Sequence, residues 1–220
     1  MENKYIYKTE NEIQSLFDER KIKYIKRTRI DCEELLLMNL NEGSYYKDNK
    51  EEFAKLSSRY SNDIKCCNMA PVYIKYIDKV FGYGVFAAED IIKEDFIGEY
   101  AGVVDIDDEN ECGEFNGEGY RTDYSWYYLD DLEELPNLEI NGRFEGNQMR
   151  FVNHSEEPNL HVEHILLDGF WVIFFNASKN INKDDQLFIS YGEGYWSEGY
   201  REMLNTNGDG VVKKSPSTAL

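Results

Sequence analysis

Proline is scarce in this chain, with four residues in 220, and cysteine is equally rare. Cys32, Cys66, Cys67 and Cys112 include no CxxC pair. A structural zinc site needs ligands at regular spacing, so no metal is assigned. The adjacent Cys66 and Cys67 suit burial or chance better than a disulfide framework. The opening segment MENKYIYKTENEIQ lacks an apolar signal core, and no apolar run approaches membrane-spanning length. These absences read as a soluble chain made in a reducing compartment, cytoplasmic or nuclear, with no membrane partner. A bacterial version would stay in the cytoplasm or be delivered into a host cell. The two Asn-x-Ser sequons, at Asn153 and Asn176, then have no glycosylation role.

Positive charge is also in short supply. Lys and Arg number 24 against 43 Asp and Glu, a net charge of −19. A nucleic-acid backbone calls for a basic footprint, so direct nucleic-acid binding is not expected. The balance suits a basic protein or peptide, although an acidic surface also serves solubility alone. The length fits one domain, or one with a small appendage, and allows a full core. Abundant Asn, Lys, Ile and Tyr beside few Pro fit an AT-rich genome.

Three regions differ in texture. In residues 1–68, NEIQSLFDERKIKYI, DCEELLLMNL and KDNKEEFAKLSSRYS space their apolar residues as amphipathic helices do. This region reads as a helical N-terminal segment. Its basic cluster from Lys21 to Arg29 is either a solvated helix face or a weak nuclear signal. From Met69 short β-branched and aromatic runs take over: PVYIKYI, GVFAAEDI, DFIGEYAGVV, YSWYYLDD, LEINGRF, FWVIFFNAS and QLFISYG. Gly, Asn and Asp turns separate them, and no long helices intervene, which predicts a mostly β (β-rich α+β) domain over 69–198. Residues 199–220 form a tail of turn-forming and small polar residues, expected to be partly disordered.

Several motifs carry more than fold. Gly82-Tyr83-Gly84 lacks the third glycine and helix of a dinucleotide site, so by itself it marks a tight bend, or a close backbone approach to a ligand. Tyr100 in IGEYAGVV would pass as a strand tyrosine. RFVNHSEEPN, from Arg150 to Asn159, runs apolar residues straight into the polar Asn153-His154-Ser155. Tyr191 closes DDQLFISYG.

In this order and spacing the four segments resemble the SET-domain protein lysine methyltransferases. The family pattern R-F-x-N-H-S-C-x-P-N matches Arg150, Phe151, Asn153, His154, Ser155, Pro158 and Asn159. EINGRFEGN resembles the family's I-D-A-R-x-x-G-N, with Asn141 where Asp is usual. DQLFISYG resembles E-L-x-x-D-Y-G, and FGYGVFAAEDIIKEDFIGEYAG resembles the opening glycine strand pair. The likeness runs from about Val72 to Trp196. Departures are Glu156 for Cys, Gln186 for Glu, Ser190 for Asp, and missing zinc-binding Cys clusters. Ile189 stands two residues before Tyr191, where many members carry the aromatic that sets the methylation state, so that state is not assigned.

The resemblance implies a SET domain whose Asn-His-Ser segment is threaded in a knot-like crossing, against the usual rule. It further implies S-adenosylmethionine as cofactor and transfer of its methyl group to a lysine amine of a basic protein, with histone tails among the candidates. By the same resemblance Tyr191 and Tyr100 are catalytic, and Gly82, Tyr83, Gly84, Asn153, His154 and Trp196 bind the cofactor. Trp196 packs on the adenine, closes the lysine channel or caps the core. A degenerate SET module that binds cofactor or a basic peptide without catalysis is the alternative. The acidic stretches DIDDENECGE and DDLEELPNLE are expected to form a rim that recruits a basic peptide, or plain solvated loops.

Overall fold

A computed structural model describes residues 5–79, 81–106, 124–128 and 138–192, together with the backbone of 201–203 and 211–213. Short strands dominate, as the turn-punctuated sequence predicts. The first part of the chain runs β1 (Ile6–Tyr7), α1 (Glu10–Glu19), β2 (Lys23–Tyr24), β3 (Arg29–Ile30), α2 (Glu33–Leu36), α3 (Ser44–Asp48) and α4 (Lys50–Lys65). Then follow β4 (Val72–Asp78), β5 (Gly82–Ala87), β6 (Phe96–Glu99), β7 (Val103–Ile106), β8 (Ser125–Tyr128), β9 (Leu138–Asn141) and β10 (Glu145–Gly146). The chain continues through β11 (Asn153–His154), β12 (Leu160–Leu167), β13 (Phe170–Ala177), β14 (Phe188–Ile189), β15 (Arg201–Met203) and β16 (Val211–Lys213).

These strands make several small sheets rather than one large one. Their orders are β1-β4-β5, β12-β13-β6 and β3-β7-β9-β8, with two-stranded pairs β10-β2, β11-β14 and β15-β16. The last of these pairs is an antiparallel ladder inside the stretch where the sequence predicts partial disorder.

The first thirty residues are less helical than their spacing predicts. α1 starts at a capping box, in which Thr9 accepts from the Glu12 amide while Glu12 accepts from the Thr9 amide. It buries Ile13, Leu16 and Phe17 on one face. The expected helix over 11–25 nevertheless stops at Glu19, because Lys21 turns into the left-handed region at φ 57°. Ile22 is then buried and Lys23–Tyr24 pair in parallel with Glu145–Gly146. Long-range strand pairing here overrides local helical spacing. Likewise β1 pairs with β4 and β3 with β7, so the N-terminal segment is stitched into the sheets by its strands.

α4 behaves as its sequence predicts. It lays Phe53, Tyr60 and Ile64 inward, and the last two join Ile165, Leu167, Val172 and Phe174 of the β12–β13 hairpin in a compact cluster. The Tyr60 hydroxyl donates to the Glu94 carbonyl at 2.8 Å and accepts from Asn176 Nδ2 at 3.0 Å, so the buried phenol is satisfied on both counts.

Tyr73 of β4 gives the fold a titrating lock. Its hydroxyl donates to Asp184 Oδ1 at 3.0 Å, and burial, reinforced by that carboxylate, pushes its pKa up to about 12. Below pH 10 both folded and unfolded chains keep this proton. Above pH 10 the unfolded phenol ionises first, so stability falls until the folded phenol also ionises near pH 12. Each pH unit in that window costs up to about 1.4 kcal/mol. Urea titrations of Tyr73→Phe at pH 9 and 11.5 are expected to show a smaller alkaline loss than the parent. Equal losses would discard the assignment.

Candidate active site

The polar triplet after Phe151 meets the last motif edge to edge. β11 and β14 pair in parallel, with Asn153 opposite Phe188 and His154 opposite Ile189. The Ser155 amide donates to the Ile189 carbonyl at 3.0 Å, and the Leu187 amide donates to Val85 of β5 at 2.8 Å. The return segment 186–191 therefore lies between the glycine strand and the Asn-His-Ser segment. This is the contact that the expected crossing requires.

Asn159 fixes that segment by imitating a backbone unit. Its Nδ2 donates to the Gln186 carbonyl at 2.8 Å and its Oδ1 accepts from the Phe188 amide at 2.8 Å. His154 then sets Tyr191. Its Nδ1 accepts from the Tyr191 amide at 3.0 Å, and its Nε2 faces Glu156 Oε1 at 3.2 Å. An Nδ1 that accepts must be unprotonated, so the proton sits on Nε2 and points at Glu156. The Glu156 that departs from the family's Cys thus has a definite job: it fixes the imidazole tautomer. The Tyr191 hydroxyl donates to the Val152 carbonyl at 3.0 Å.

Tyr100 reaches the same region from the end of β6. It is almost fully buried, and its hydroxyl donates to the Tyr124 carbonyl. Burial pushes the phenol well above its ordinary value near 10, so it stays neutral. Gly142 makes room for it, since a Cβ there would lie 2.7 Å from the Tyr100 hydroxyl. The Gly142 amide also donates to the Tyr124 carbonyl, at 2.8 Å. Tyr124 itself is held at φ 70°, an uncommon conformation for a non-glycine residue of the sort that clusters at functional sites. Arg150 closes the group from below. Its Nε donates to the Gly142 carbonyl at 2.8 Å, and its guanidinium lies 4.0 Å from the Tyr124 ring centroid.

The glycine turn stands beside Asn153, whose Nδ2 donates to the Tyr83 carbonyl at 3.0 Å. The two glycines differ in purpose. Gly84 is packed shut, since a Cβ would lie 2.6 Å from Gln186 Nε2. Gly82 is open, with nothing within 4 Å of an added Cβ. The structure therefore brings together Tyr83, Gly84, Asn153, His154 and Tyr191, with Gly82 at the open end of the turn and Tyr100 reached through Gly142 and Arg150. Trp196 and most of the two acidic stretches lie outside the described residues. Motif reading missed Tyr124, whose carbonyl anchors Tyr100 and whose sequence context carries no signal. It also gave no role to Arg150, Asn159 or Glu156, although the first two stand inside the matched pattern. Among the described residues no group of His, Cys, Asp and Glu is placed to hold a metal ion, and no helix is long and apolar enough to cross a membrane.

Comparison with known proteins gives a consistent result. A family model for the SET domain matches residues 82–192, half of the chain. A histone-lysine N-methyltransferase EZH2 of Chaetomium thermophilum is 32% identical over 115 residues, covering 52% of this chain and 8% of its own length. The histone-lysine N-methyltransferase MEDEA of Arabidopsis thaliana is 33% identical over 141 residues, covering 62% and 19% respectively. The chain thus spans less than a fifth of either relative. Among solved structures, ATXR5 in complex with a mono-methylated histone H3.1 shares the fold at TM-score 0.60 and 18% identity, over 84% of this chain and 88% of that one. A structure of ctPRC2 in an autoinhibited conformation, bound to S-adenosylmethionine, aligns at TM-score 0.50 and 26% identity, over 59% of this chain and 16% of that one. The family model, which spans half of the chain, settles the family: the chain belongs to the SET domain family.

Proposed function

We propose that this protein transfers a methyl group from S-adenosylmethionine to the side-chain amine of lysine in a basic protein, with histone tails as the first substrates to test. The observation that carries this reading is the Tyr191 hydroxyl held on the Val152 carbonyl, with its backbone fixed by His154 and the neutral Tyr100 close by. Support comes from the matched relatives, which are named as histone-lysine N-methyltransferases, and from the neighbour bound to S-adenosylmethionine.

The donor set fits such a cofactor. Open space at Gly82 and a half-buried Asn153 side chain beside the partly buried glycine turn offer room for a ligand with a few placed polar groups at its edge. Bound there, S-adenosylmethionine supplies an electrophilic methyl on a positively charged sulfur. The chain has to present a neutral amine to it. A free lysine has a pKa near ~10.4, so deprotonation at pH 7 costs roughly 4–5 kcal/mol. Aromatic walls such as the buried Tyr100 and the half-buried Trp126, with ring centroids 5.9 Å apart, disfavour the ammonium and lower that cost. Tyr191 donates its proton to Val152, and a phenol oxygen that donates once can still accept from an amine N–H. Its part is to align the amine, so catalysis is largely positioning. His154 acts through Tyr191 and is a positioning residue.

The cofactor half of this reading has a direct test. Asn153→Ala removes the donor to the Tyr83 carbonyl and with it the register of the glycine turn. Calorimetry is expected to show S-adenosylmethionine binding weakened by about 1–3 kcal/mol. Unchanged affinity in a folded variant would remove Asn153 from the cofactor site. For the reaction itself, radiolabelled methyl transfer onto core histones and a basic cell extract, followed by mass spectrometry, decides the substrate class. The acidic rim is part of the same proposal. If it recruits a basic peptide, KM rises steeply with added salt, because exposed charges are screened within about 8–10 Å.

A further inference from the structure

Among the described residues Arg20 has no counter-ion, in a protein of net charge −19. It caps the C-terminal end of α1, outside the residues matched by the SET domain. Its guanidinium carbon sits 5.3 Å from the centroid of the Tyr83 ring, in the glycine turn. Its Nε is buried and has no hydrogen-bond partner, and no ion pair involves it among the described residues. Stacking on an aromatic face does not satisfy an N–H that lies in the guanidinium plane. A second buried cation, Arg150, lies 4.8 Å from the Phe151 ring centroid, and that ring is 5.6 Å from Tyr83. Arg150 spends its donors on two backbone carbonyls, Gly142 and Arg143, and not on a carboxylate. Burial lowers its pKa, and the positive charges of Arg20 and Arg143 push in the same direction. Two guanidinium groups thus converge on the Tyr83–Phe151 pair with no ion pair to either among the described residues, while carboxylates outnumber cations in the chain as a whole.

We propose that Arg20 is a cofactor-binding residue contributed by the N-terminal segment, pairing with the carboxylate at the amino-acid end of S-adenosylmethionine. This rests on the cofactor reading above. A planar guanidinium matches a carboxylate with paired donors, and the turn it covers is the one that Asn153 holds. The N-terminal segment then completes the pocket, and α1 carries a specificity element for a carboxylated cofactor.

The experiment compares S-adenosylmethionine with its decarboxylated analogue by calorimetry, on the full chain and on Arg20→Gln and Arg20→Lys. Arg20→Gln is expected to weaken S-adenosylmethionine binding by about ten- to a hundredfold. It should leave the decarboxylated analogue within about twofold of the parent, and Arg20→Lys should recover part of the loss. Equal losses for both ligands would mark Arg20 as merely structural and overturn the proposal, as would undiminished S-adenosylmethionine binding in Arg20→Gln. A parent that binds neither ligand would instead overturn the cofactor reading itself, and this proposal with it.

Discussion

Tyr191→Phe is expected to bind S-adenosylmethionine as the parent does and to turn over roughly a hundredfold to a thousandfold more slowly. The substitution deletes one hydroxyl. The backbone of residue 191 keeps its bond to His154 Nδ1, and the ring keeps its place 5.4 Å from the imidazole centroid. What disappears is the donor to the Val152 carbonyl and, on the proposed mechanism, the oxygen that aligns the amine. Losing the Val152 contact costs about 1 kcal/mol of stability, too little to unfold a domain of this size. An interaction made mainly as the transition state forms shows itself in kcat, whereas uniform binding shows itself in KM. Steady-state kinetics on a histone substrate with parallel cofactor calorimetry separates the two. A folded, cofactor-binding Tyr191→Phe protein with near-normal turnover would reject the catalytic role of the hydroxyl. A parent that binds cofactor yet methylates no basic substrate would make this a binding module without catalysis.

Most of the candidate site was legible as motifs in the chain because its pieces are local. Asn153, His154, Pro158 and Asn159 share one ten-residue stretch, and the glycine turn and the two tyrosines each sit in a recognisable strand context. What could not be read is what joins them. The Tyr124 carbonyl receives the Tyr100 hydroxyl and the Gly142 amide across more than fifteen residues of sequence, through a backbone conformation that no side chain announces. The same holds for the fold. Strands such as β4, β5 and β13 advertise themselves by β-branched and aromatic runs. By contrast β2, β3 and β11 are two residues long and exist only because a distant partner is present. The strand β12 was legible in principle. Its Asp168-Gly169 link to β13 has φ 53° and 93°, positive at both central positions as a type I′ hairpin requires, and Asp-Gly is a strong hairpin signal. In LHVEHILL the adjacent polar Glu163 and His164 and the apolar run Ile165-Leu166-Leu167 break the alternation that would otherwise have marked the strand.

Asn159→Ala is expected to cost stability and activity together, in contrast to Tyr191→Phe. The Asn159 side chain is the bracket between the turn after His154 and the segment that delivers Tyr191. It donates to Gln186 and accepts from Phe188, and its own amide donates to the Phe188 carbonyl at 3.2 Å. Alanine keeps that last bond and abandons the other two. The Phe188 amide and the Gln186 carbonyl then lose their partners in a site where Asn159 is 8% exposed, so water restores them only in part. Each unsatisfied group costs about 1–3 kcal/mol, which places the total for the two at roughly 2–6 kcal/mol. Asn159→Asp is no remedy. It can still accept from Phe188, but it sets a carboxylate oxygen against the Gln186 carbonyl and should be at least as destabilising. Urea unfolding at neutral pH measures the loss, and hydrogen exchange at the Phe188 amide locates it. Because β14 is only two residues long, loosening that bracket also frees Tyr191 from His154, and turnover should fall by more than the unfolded fraction explains. An Asn159→Ala protein within about 0.5 kcal/mol of the parent and unaltered in exchange at Phe188 would mean that the parallel pairing of β11 with β14 holds the segment by itself.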